Sequence, residues 1–247
     1  MLLKNKTAII TGSNRGIGKS MLNVFSEHGA NIIACVRKAD NDFVDEISKL
    51  QKKYNNQITY KNLNFENEQE CLEIGKQIIF ENNEIDILIN NAGAIQTSLF
   101  QMTPIKKFKE IFQINYFSQI IFTQQIIKKM IKNKKGSIIY ISSTSGIDSD
   151  EGRGAYSDSK AAIISKSKTL SKELGRYNIR VNCIAPGLTN TRMMTENTSE
   201  DNINKVIENL SLRRFAETNE IANVALFLSS DLATYLTGQT IRVDGGM

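Results

Sequence analysis

The chain has 247 residues, enough for one large α/β domain or two small ones, and 31 basic against 26 acidic residues give a formal net charge of +5. This mild excess is spread along Asn- and Lys-rich segments instead of forming one basic face with aromatic platforms, which argues against a nucleic-acid partner. Only Pro104 and Pro186 occur, and no low-complexity linker separates the apolar runs. A single domain over residues 1–247 is therefore expected.

Cysteine usage and hydropathy predict a reduced, cytoplasmic protein. Cys35, Cys71 and Cys183 are odd in number and lack the spacing of metal ligands, so we expect core thiols and no metal site. Residues 1–3 lead almost directly into the first apolar run, which leaves no room for a signal peptide. No apolar run approaches the ~20 residues of a membrane-spanning helix, so no membrane partner is expected.

Short apolar runs alternate with amphipathic segments along the chain, and their periodicity separates strands from helices. The predicted strands cover 6–10, 31–36, 58–63, 85–90, 137–141, 179–184 and 239–243. The predicted helices cover 16–29, 40–54, 67–80, 104–132 and 155–176, with a cap at Thr103 for the fourth and a last helix capped by Thr218. Strands that are apolar almost throughout predict a seven-stranded parallel sheet covered on both faces, a Rossmann-type doubly wound α/β fold.

Three glycines lie between the first strand and the first helix, in the run Thr11-Gly12-Ser13-Asn14-Arg15-Gly16-Ile17-Gly18. Glycine lets the backbone turn sharply and approach a ligand, and a helix N-terminus offers unpaired N–H groups that favour a phosphate. A glycine-rich turn without a ligand is the alternative. The strand before the run, the helix after it and a second strand at 31–36 favour a pyrophosphate site.

Tyr156 and Lys160 are four residues apart on a predicted helix, so they share one face. The pKa of a free tyrosine is about 10, and a neighbouring ammonium is expected to lower it. Ser143 follows the fifth strand and has a hydroxyl that could hold a carbonyl oxygen, while Asn115 could hold a water that links Lys160 to solvent. Each residue alone is common on protein surfaces, but together they indicate a catalytic site.

These motifs resemble the short-chain dehydrogenase/reductase family over essentially the whole chain. The matching segments are 11–18, Asn90-Asn91-Ala92-Gly93, Asn115, Ser143, Tyr156 with Lys160, Pro186-Gly187 and Val243-Asp244-Gly245-Gly246. The resemblance implies hydride transfer between a nicotinamide and a carbonyl or alcohol carbon. It also implies Tyr156 as the acid in reduction, Ser143 as the group that orients the carbonyl, and Lys160 as the group that tunes the tyrosine and binds a ribose hydroxyl. Asn115 would anchor a proton relay.

The end of the second strand predicts NADPH. By alignment with the family, Val36 stands at the position where a carboxylate would bind the adenosine ribose, and Arg37 follows it. Together with Arg15 and the nearby Ser13, Arg37 suits a 2′-phosphate, which arginine binds by charge-assisted bonds. In the alternative, Arg37 is a solvated loop charge and Asp40 or another group serves NAD.

The resemblance implies a larger set of cofactor contacts. The expected cofactor-binding residues are Gly12, Ser13, Asn14, Arg15, Gly16, Ile17, Gly18, Arg37, Asn64, Asn91, Ala92, Gly93, Tyr156, Lys160, Pro186, Gly187, Thr189 and Thr191, with Ile184 on the nicotinamide side. Thr218 replaces a proline that is common in relatives, and we expect only a local change there because threonine is a competent cap. Family members are commonly dimers or tetramers, so the long helices after the fourth and fifth strands and the last strand are expected interfaces.

The substrate loops leave several functions open. They are 94–102, 144–154 and 188–212, of which the last is polar and is expected to form a mobile flap with a short helix at 201–210. The chain is similar to bacterial 3-oxoacyl-(acyl carrier protein) reductases, but 93–97 and Arg153 depart from that subgroup, and 144–154 carries the charged residues Asp148, Asp150, Glu151 and Arg153. The hypotheses are a 3-oxoacyl thioester reductase, a reductase or dehydrogenase of a sugar, polyol or other small carbonyl compound, and a non-catalytic dinucleotide sensor or scaffold.

Overall fold

The structure, a computed structural model, describes residues 1–197 and 206–247, and its strands form one sheet. The strands are β1 (Thr7–Thr11), β2 (Asn31–Val36), β3 (Ile58–Asn62), β4 (Ile87–Asn90), β5 (Gly136–Ile141), β6 (Ile179–Pro186) and β7 (Thr240–Val243). They pair in parallel in the order β3-β2-β1-β4-β5-β6-β7. The predicted seven-stranded, doubly wound α/β fold is confirmed, as a single Rossmann-like domain.

Helices cover both faces of this sheet. They are α1 (Gly16–Glu27), α2 (Asn41–Tyr54), α3 (Glu68–Glu81), α4 (Ile105–Phe112), α5 (Ser118–Asn133), α6 (Ser145–Asp148), α7 (Gly154–Leu174), α8 (Arg192–Asn197) and α9 (Thr218–Ser229), with short 3₁₀ turns at Phe100–Met102, Gly175–Tyr177 and Asp231–Ala233. Successive side chains of β1 enter opposite layers, because side chains alternate across a strand. Ile10 belongs to the core cluster that contains Phe25 of α1 and Ile221 of α9, whereas Ile9 belongs to the cluster that contains Phe122 of α5.

The topology places a crevice beside β1. This strand pairs with β2 on one side and with β4 on the other, so the direction in which the chain fills the sheet reverses there. In doubly wound sheets, ligands bind outside the carboxyl ends of the strands at such a reversal. The loops that follow β1 and β4 therefore border the expected ligand site.

Helix starts and one long helix differ from the sequence predictions. The predicted helix 104–132 is divided by a π-helical turn at Gln113–Phe117, and Pro104 is its N-cap instead of its first helical residue. Thr103 does not cap it, because its hydroxyl donates to the Leu99 carbonyl. Thr218 does not cap α9 either: Glu217 caps it in a reciprocal capping box with Glu220. Thr218 is the first helical residue, and its hydroxyl accepts a hydrogen bond from Ser20 at 2.6 Å.

The three cysteines, Cys35, Cys71 and Cys183, are free and buried, as expected of core thiols. Of the predicted helix at 201–210, residues 201–205 lie outside the described residues, and 206–209 are helical. Within the part of the chain that the structure describes, no helix combines the length and apolar content needed to cross a membrane.

Candidate active site

A cleft of about 660 Å³ opens at the carboxyl ends of the strands. Its walls come from the segments that follow each of the seven strands, from Gly12 after β1 to Met247 after β7. Every predicted cofactor-binding residue except Ser13 and Ile184 lines it, and Ile184 is fully buried. Ser13 is fully buried, and its hydroxyl faces the Cys35 carbonyl at 3.5 Å. Ser13 therefore does not form part of the cleft wall, and its contact with a ligand stays a prediction.

The glycine run forms a close-packed turn at the start of α1. Gly12 and Gly16 have φ values of +67° and +54°, in the left-handed region that favours glycine. A Cβ on Gly18 would lie 2.1 Å from the Gly12 carbonyl oxygen. No side chain caps the first turn of α1, so its N–H groups stay available to a ligand. This cradle has the shape and polarity that a pyrophosphate requires.

The loop after β4 holds the cradle in place. The Thr11 hydroxyl oxygen accepts hydrogen bonds from the N–H groups of Asn91 (2.9 Å) and Ala92 (3.0 Å). The Asn91 side-chain amide donates to the carbonyls of Thr11 (2.9 Å) and Gly12 (3.1 Å). Asn91 therefore has a structural role in addition to its place in the cleft wall, and no local sequence pattern indicates this role because it joins the segments after two different strands.

Replacing Gly18 by Ala is expected to weaken dinucleotide binding at least tenfold and to lower the free energy of unfolding by about 1–3 kcal/mol. The added methyl group overlaps the Gly12 carbonyl, so the cradle has to move. Titration of cofactor binding and thermal unfolding measure the two effects. Gly175→Ala is the matched control, because nothing lies within 4 Å of its added methyl group. Unchanged cofactor affinity in the Gly18 variant would contradict the assigned cradle.

Helix α7 and the loop after β5 bring three predicted catalytic residues together. Tyr156 and Lys160 lie one turn apart on α7, and both line the cleft while only 8% and 4% exposed. The Tyr156 hydroxyl is hydrogen-bonded to Ser143, whose Oγ also accepts from the Ser145 N–H at 3.2 Å. The Lys160 ammonium donates to the Ile141 carbonyl at 2.8 Å and lies 5.7 Å from the Tyr156 ring centre.

Burial dominates the pKa values of this group. Burial raises the pKa of Tyr156, while the hydrogen bond from Ser143 and the charge of Arg153 act in the opposite direction. Burial also lowers the pKa of Lys160 to about 8. The expectation that Lys160 brings the tyrosine pKa below its ordinary value is wrong in this structure, because removal from water disfavours the charged form of both groups. At neutral pH Tyr156 keeps its proton, as a proton donor must.

Asn115 is placed by the π-helical turn and does not line the cleft. It is fully buried, and its side chain exchanges two hydrogen bonds with the backbone of Ala94, at 2.8 Å and 2.9 Å. Its amide also donates to the Ser159 hydroxyl at 3.0 Å. A Cβ on Gly93 would lie 3.2 Å from Asn115 Oδ1 and 3.4 Å from Lys160 Nζ. The side chain thus fixes the loop after β4 against α7, and the water-holding role predicted for it has no support from this geometry.

The part of the cleft beside the end of β2 carries arginines and no strand-end carboxylate. Val36 is buried, while the Arg37 side chain is 75% exposed and lines the cleft with Arg15. Arg37 lies 3.8 Å from the Glu66 carboxylate, a partner that the sequence did not reveal. Asp40 caps α2 by accepting from the Phe43 N–H at 2.9 Å and does not line the cleft. The alternative in which Asp40 binds a ribose is therefore not supported.

The opposite end of the cleft combines apolar and charged side chains. The lining residues there include Ile95, Asp150, Glu151, Arg153, Leu188, Arg192, Met193, Met194, Glu196, Val206 and Met247. Methionine side chains adapt to ligands of irregular shape. No sequence pattern indicates a place for Met247 in the cleft, because it follows the last motif. Among the residues that the structure describes, no group of acidic, histidine or cysteine side chains could hold a metal ion.

Comparison with known proteins gives full-length matches. The profile of a family described as Enoyl-(Acyl carrier protein) reductase matches residues 11–247. The chain is 37% identical over 246 residues to the 3-oxoacyl-[acyl-carrier-protein] reductase FabG of Chlamydia trachomatis serovar D, covering 100% of this chain and 98% of that relative. It is 34% identical over 247 residues to the FabG of Thermotoga maritima, covering 100% and 99%.

Solved structures share the fold closely. A 7α-hydroxysteroid dehydrogenase complexed with NADH and 7-oxo glycochenodeoxycholic acid is 33% identical, with a TM-score of 0.92 and coverage of 99% of this chain and 94% of that one. L-sorbose reductase from Gluconobacter frateurii, complexed with NADPH and L-sorbose, is 28% identical, with a TM-score of 0.90 and coverage of 99% and 97%.

Proposed function

Because the chain belongs to the short-chain dehydrogenase/reductase family of oxidoreductases, we propose that it is an NADPH-dependent 3-oxoacyl-[acyl-carrier-protein] reductase of fatty acid synthesis. The observation that carries the chemistry is the meeting of Ser143, Tyr156 and Lys160 in one cleft with the glycine cradle. The substrate class rests on full-length relatives such as the Chlamydia trachomatis reductase, at 37% identity.

Each catalytic side chain has one task in carbonyl reduction. The bound nicotinamide supplies the hydride. Tyr156 donates its proton to the carbonyl oxygen, and the raised pKa keeps that proton in place before the reaction. Ser143 holds the same oxygen by a hydrogen bond. Lys160, charged below its pKa of about 8, stabilises the phenolate that Tyr156 becomes.

The cofactor would be held by groups at the N-terminus of α1 and by Arg37, which follows β2. Gly12, Gly16 and Gly18 leave room for the pyrophosphate, since a Cβ at each would meet neighbouring atoms or require strained backbone. Arg15 and Arg37 supply guanidinium groups for a 2′-phosphate. The solved relatives are bound to NADH in one case and NADPH in the other, so the choice of NADPH rests on these arginines and on the apolar Val36.

A second candidate is reduction of a sugar, polyol or similar small carbonyl compound. The likeness to L-sorbose reductase and the charged groups Asp150, Glu151 and Arg153 in the cleft favour it. The methionines and the aliphatic residues of the same cleft favour an acyl chain instead. A non-catalytic sensor is disfavoured because the residues required for turnover are together.

Oxidation of NADPH is expected with acetoacetyl thioesters, with kcat/KM at least tenfold higher than for any member of a sugar and polyol panel. NADH should support the reaction less well than NADPH. Steady-state rates with both cofactors measure both preferences. Turnover confined to sugars or polyols would replace the proposed substrate by the second candidate. Turnover of neither group, with NADPH still bound, would overturn the proposal of catalysis.

The enzyme is further proposed to be a cytoplasmic homodimer or homotetramer. Large apolar side chains are exposed just before and at the start of α4, namely Phe100, Met102 and Ile105, and in the segment before β7, namely Leu232 and Tyr235. Such patches are typical of protein interfaces. Three free, buried cysteines suit a reducing compartment. Sedimentation analysis would measure the number of subunits.

A further inference from the structure

Arg242 on the edge strand β7 joins two carboxylates from different parts of the chain. Its Nη1 and Nη2 donate to the two oxygens of Asp148, at 2.9 Å and 2.7 Å. Its Nε donates to Asp244 at 2.6 Å. Exposed ion pairs usually contribute little, but a bidentate arginine in a network of several charges is the recognised exception. The guanidinium therefore has the geometry of a fixed tie.

The Asp148 side of this tie leads to the catalytic residues. Asp148 ends α6, the short helix that begins two residues after Ser143. Helix α6 lies directly against α7 at Lys160, because a Cβ on Gly146 would be 2.7 Å from the Lys160 carbonyl carbon. Ser145 of the same helix donates its N–H to the Ser143 hydroxyl. A shift of α6 would therefore displace both Ser143 and Lys160.

The Asp244 side leads to the far wall of the cleft. Asp244 Oδ1 accepts from the Gly246 N–H at 3.1 Å and so shapes the β7 tail, residues 244–247. The tail in turn accepts hydrogen bonds from residues 211 and 212: the Ser211 N–H to the Gly246 carbonyl (3.3 Å) and the Leu212 N–H to the Gly245 carbonyl (3.0 Å). Met247, at the end of the tail, lines the cleft.

We propose that Arg242 is a positioning residue: it holds the loop that carries Ser143 and the β7 tail at a fixed separation, and so keeps the substrate wall of the cleft in its reactive shape. Its effect on turnover rests on the proposed function. Arg242 is absent from the cleft lining, so it acts through Asp148 and Asp244 instead of touching the substrate. Small displacements of positioned groups reduce rates strongly.

Arg242→Gln is expected to raise KM for an acetoacetyl thioester about tenfold, with a smaller fall in kcat and an unchanged Kd for NADPH. Arg242→Lys keeps the charge but loses the paired nitrogens that bond both oxygens of Asp148, so its KM should lie between those of the wild type and Arg242→Gln. Asp148→Asn should raise KM as much as Arg242→Gln does, and the double variant should show little further increase. Lys6→Gln is the control. It breaks the 2.6 Å ion pair with Asp231 at the amino ends of the strands, away from the cleft, and should leave KM unchanged.

Amide hydrogen exchange tests the tie without turnover. In Arg242→Gln, peptides covering 143–150 and 206–215 should exchange faster, while a peptide covering α1 should not change. Unaltered exchange in both regions, or an unaltered thioester KM in an active enzyme, would overturn the positioning role. If the wild-type enzyme fails to reduce thioesters, the proposed function falls, and exchange alone then decides for or against the tie.

Discussion

Replacing Tyr156 by Phe is expected to lower kcat about 10²–10⁴-fold while leaving the Kd for NADPH within about twofold of the wild-type value. The ring stays packed in its buried position, and only the hydroxyl that bonds to Ser143 is lost. The carbonyl oxygen then has no proton donor on α7, because the Lys160 ammonium is turned toward the Ile141 carbonyl. Stopped-flow and steady-state reduction, with fluorescence titration of NADPH, separate the two parameters.

Tyr140→Phe is the matched control for this loss of one hydroxyl. Tyr140 is fully buried, and its hydroxyl donates to Thr123 at 3.2 Å, away from the cleft. Its removal should lower the free energy of unfolding by about 1 kcal/mol and leave kcat unchanged. A Tyr156→Phe enzyme that retains wild-type kcat would remove Tyr156 from the role of acid. A parallel loss of kcat in the Tyr140 variant would show that lost stability, not lost chemistry, explains the effect.

Periodicity predicted the fold well because the strands of a parallel sheet are buried on both faces. The prediction for β2 agrees with the structure at both ends, and the other strands differ by at most two residues at either end. Helix starts were harder to predict. Thr103 and Thr218 both have the side chain of a cap, yet Pro104 and Glu217 occupy the N-cap positions. The partners that decide these positions, Leu99 for Thr103 and Ser20 for Thr218, are set by tertiary contacts.

Within the site, residues adjacent in sequence were easier to predict than ties between distant segments. Tyr156 and Lys160 meet because four residues make about one helical turn. The inward placement of Asn115 depends on the π-helical turn, which a sequence pattern of helical period does not reveal. The bonds of Arg242 to Asp148 span 94 positions of the chain, so no local pattern indicates them.

The sequence also did not predict that the pKa of Tyr156 is raised. The four-residue spacing places Lys160 one helical turn from Tyr156, and from this alone a lowered pKa of Tyr156 is expected. The structure adds that both side chains are almost completely buried, and loss of hydration is the largest influence on each pKa: it raises the pKa of Tyr156 and lowers that of Lys160. Burial at a site of converging loops depends on the whole fold, so its effect on the pKa of Tyr156 can be seen only in the structure.

Replacing Arg37 by Gln is expected to weaken NADPH binding about 10–100-fold and to leave NADH binding nearly unchanged. A charge-assisted hydrogen bond contributes about 1.5–3 kcal/mol, which corresponds to this range. Only NADPH carries the 2′-phosphate that Arg37 is proposed to bind. The Arg15→Gln change should act in the same direction, and titration of each variant with both cofactors measures the ratio of the two Kd values.

Two neighbouring substitutions distinguish a local contact from a general effect of charge. Lys38→Gln removes one positive charge beside Arg37, but Lys38 is exposed and does not line the cleft, so the ratio of NADPH to NADH affinity should stay near the wild-type value. Glu66→Gln removes the carboxylate 3.8 Å from Arg37. This frees the guanidinium and removes a repulsive charge, so NADPH should bind more tightly. Equal losses of NADPH affinity in the Arg37 and Lys38 variants, or equal losses of NADPH and NADH affinity in the Arg37 variant, would contradict a 2′-phosphate site at Arg37.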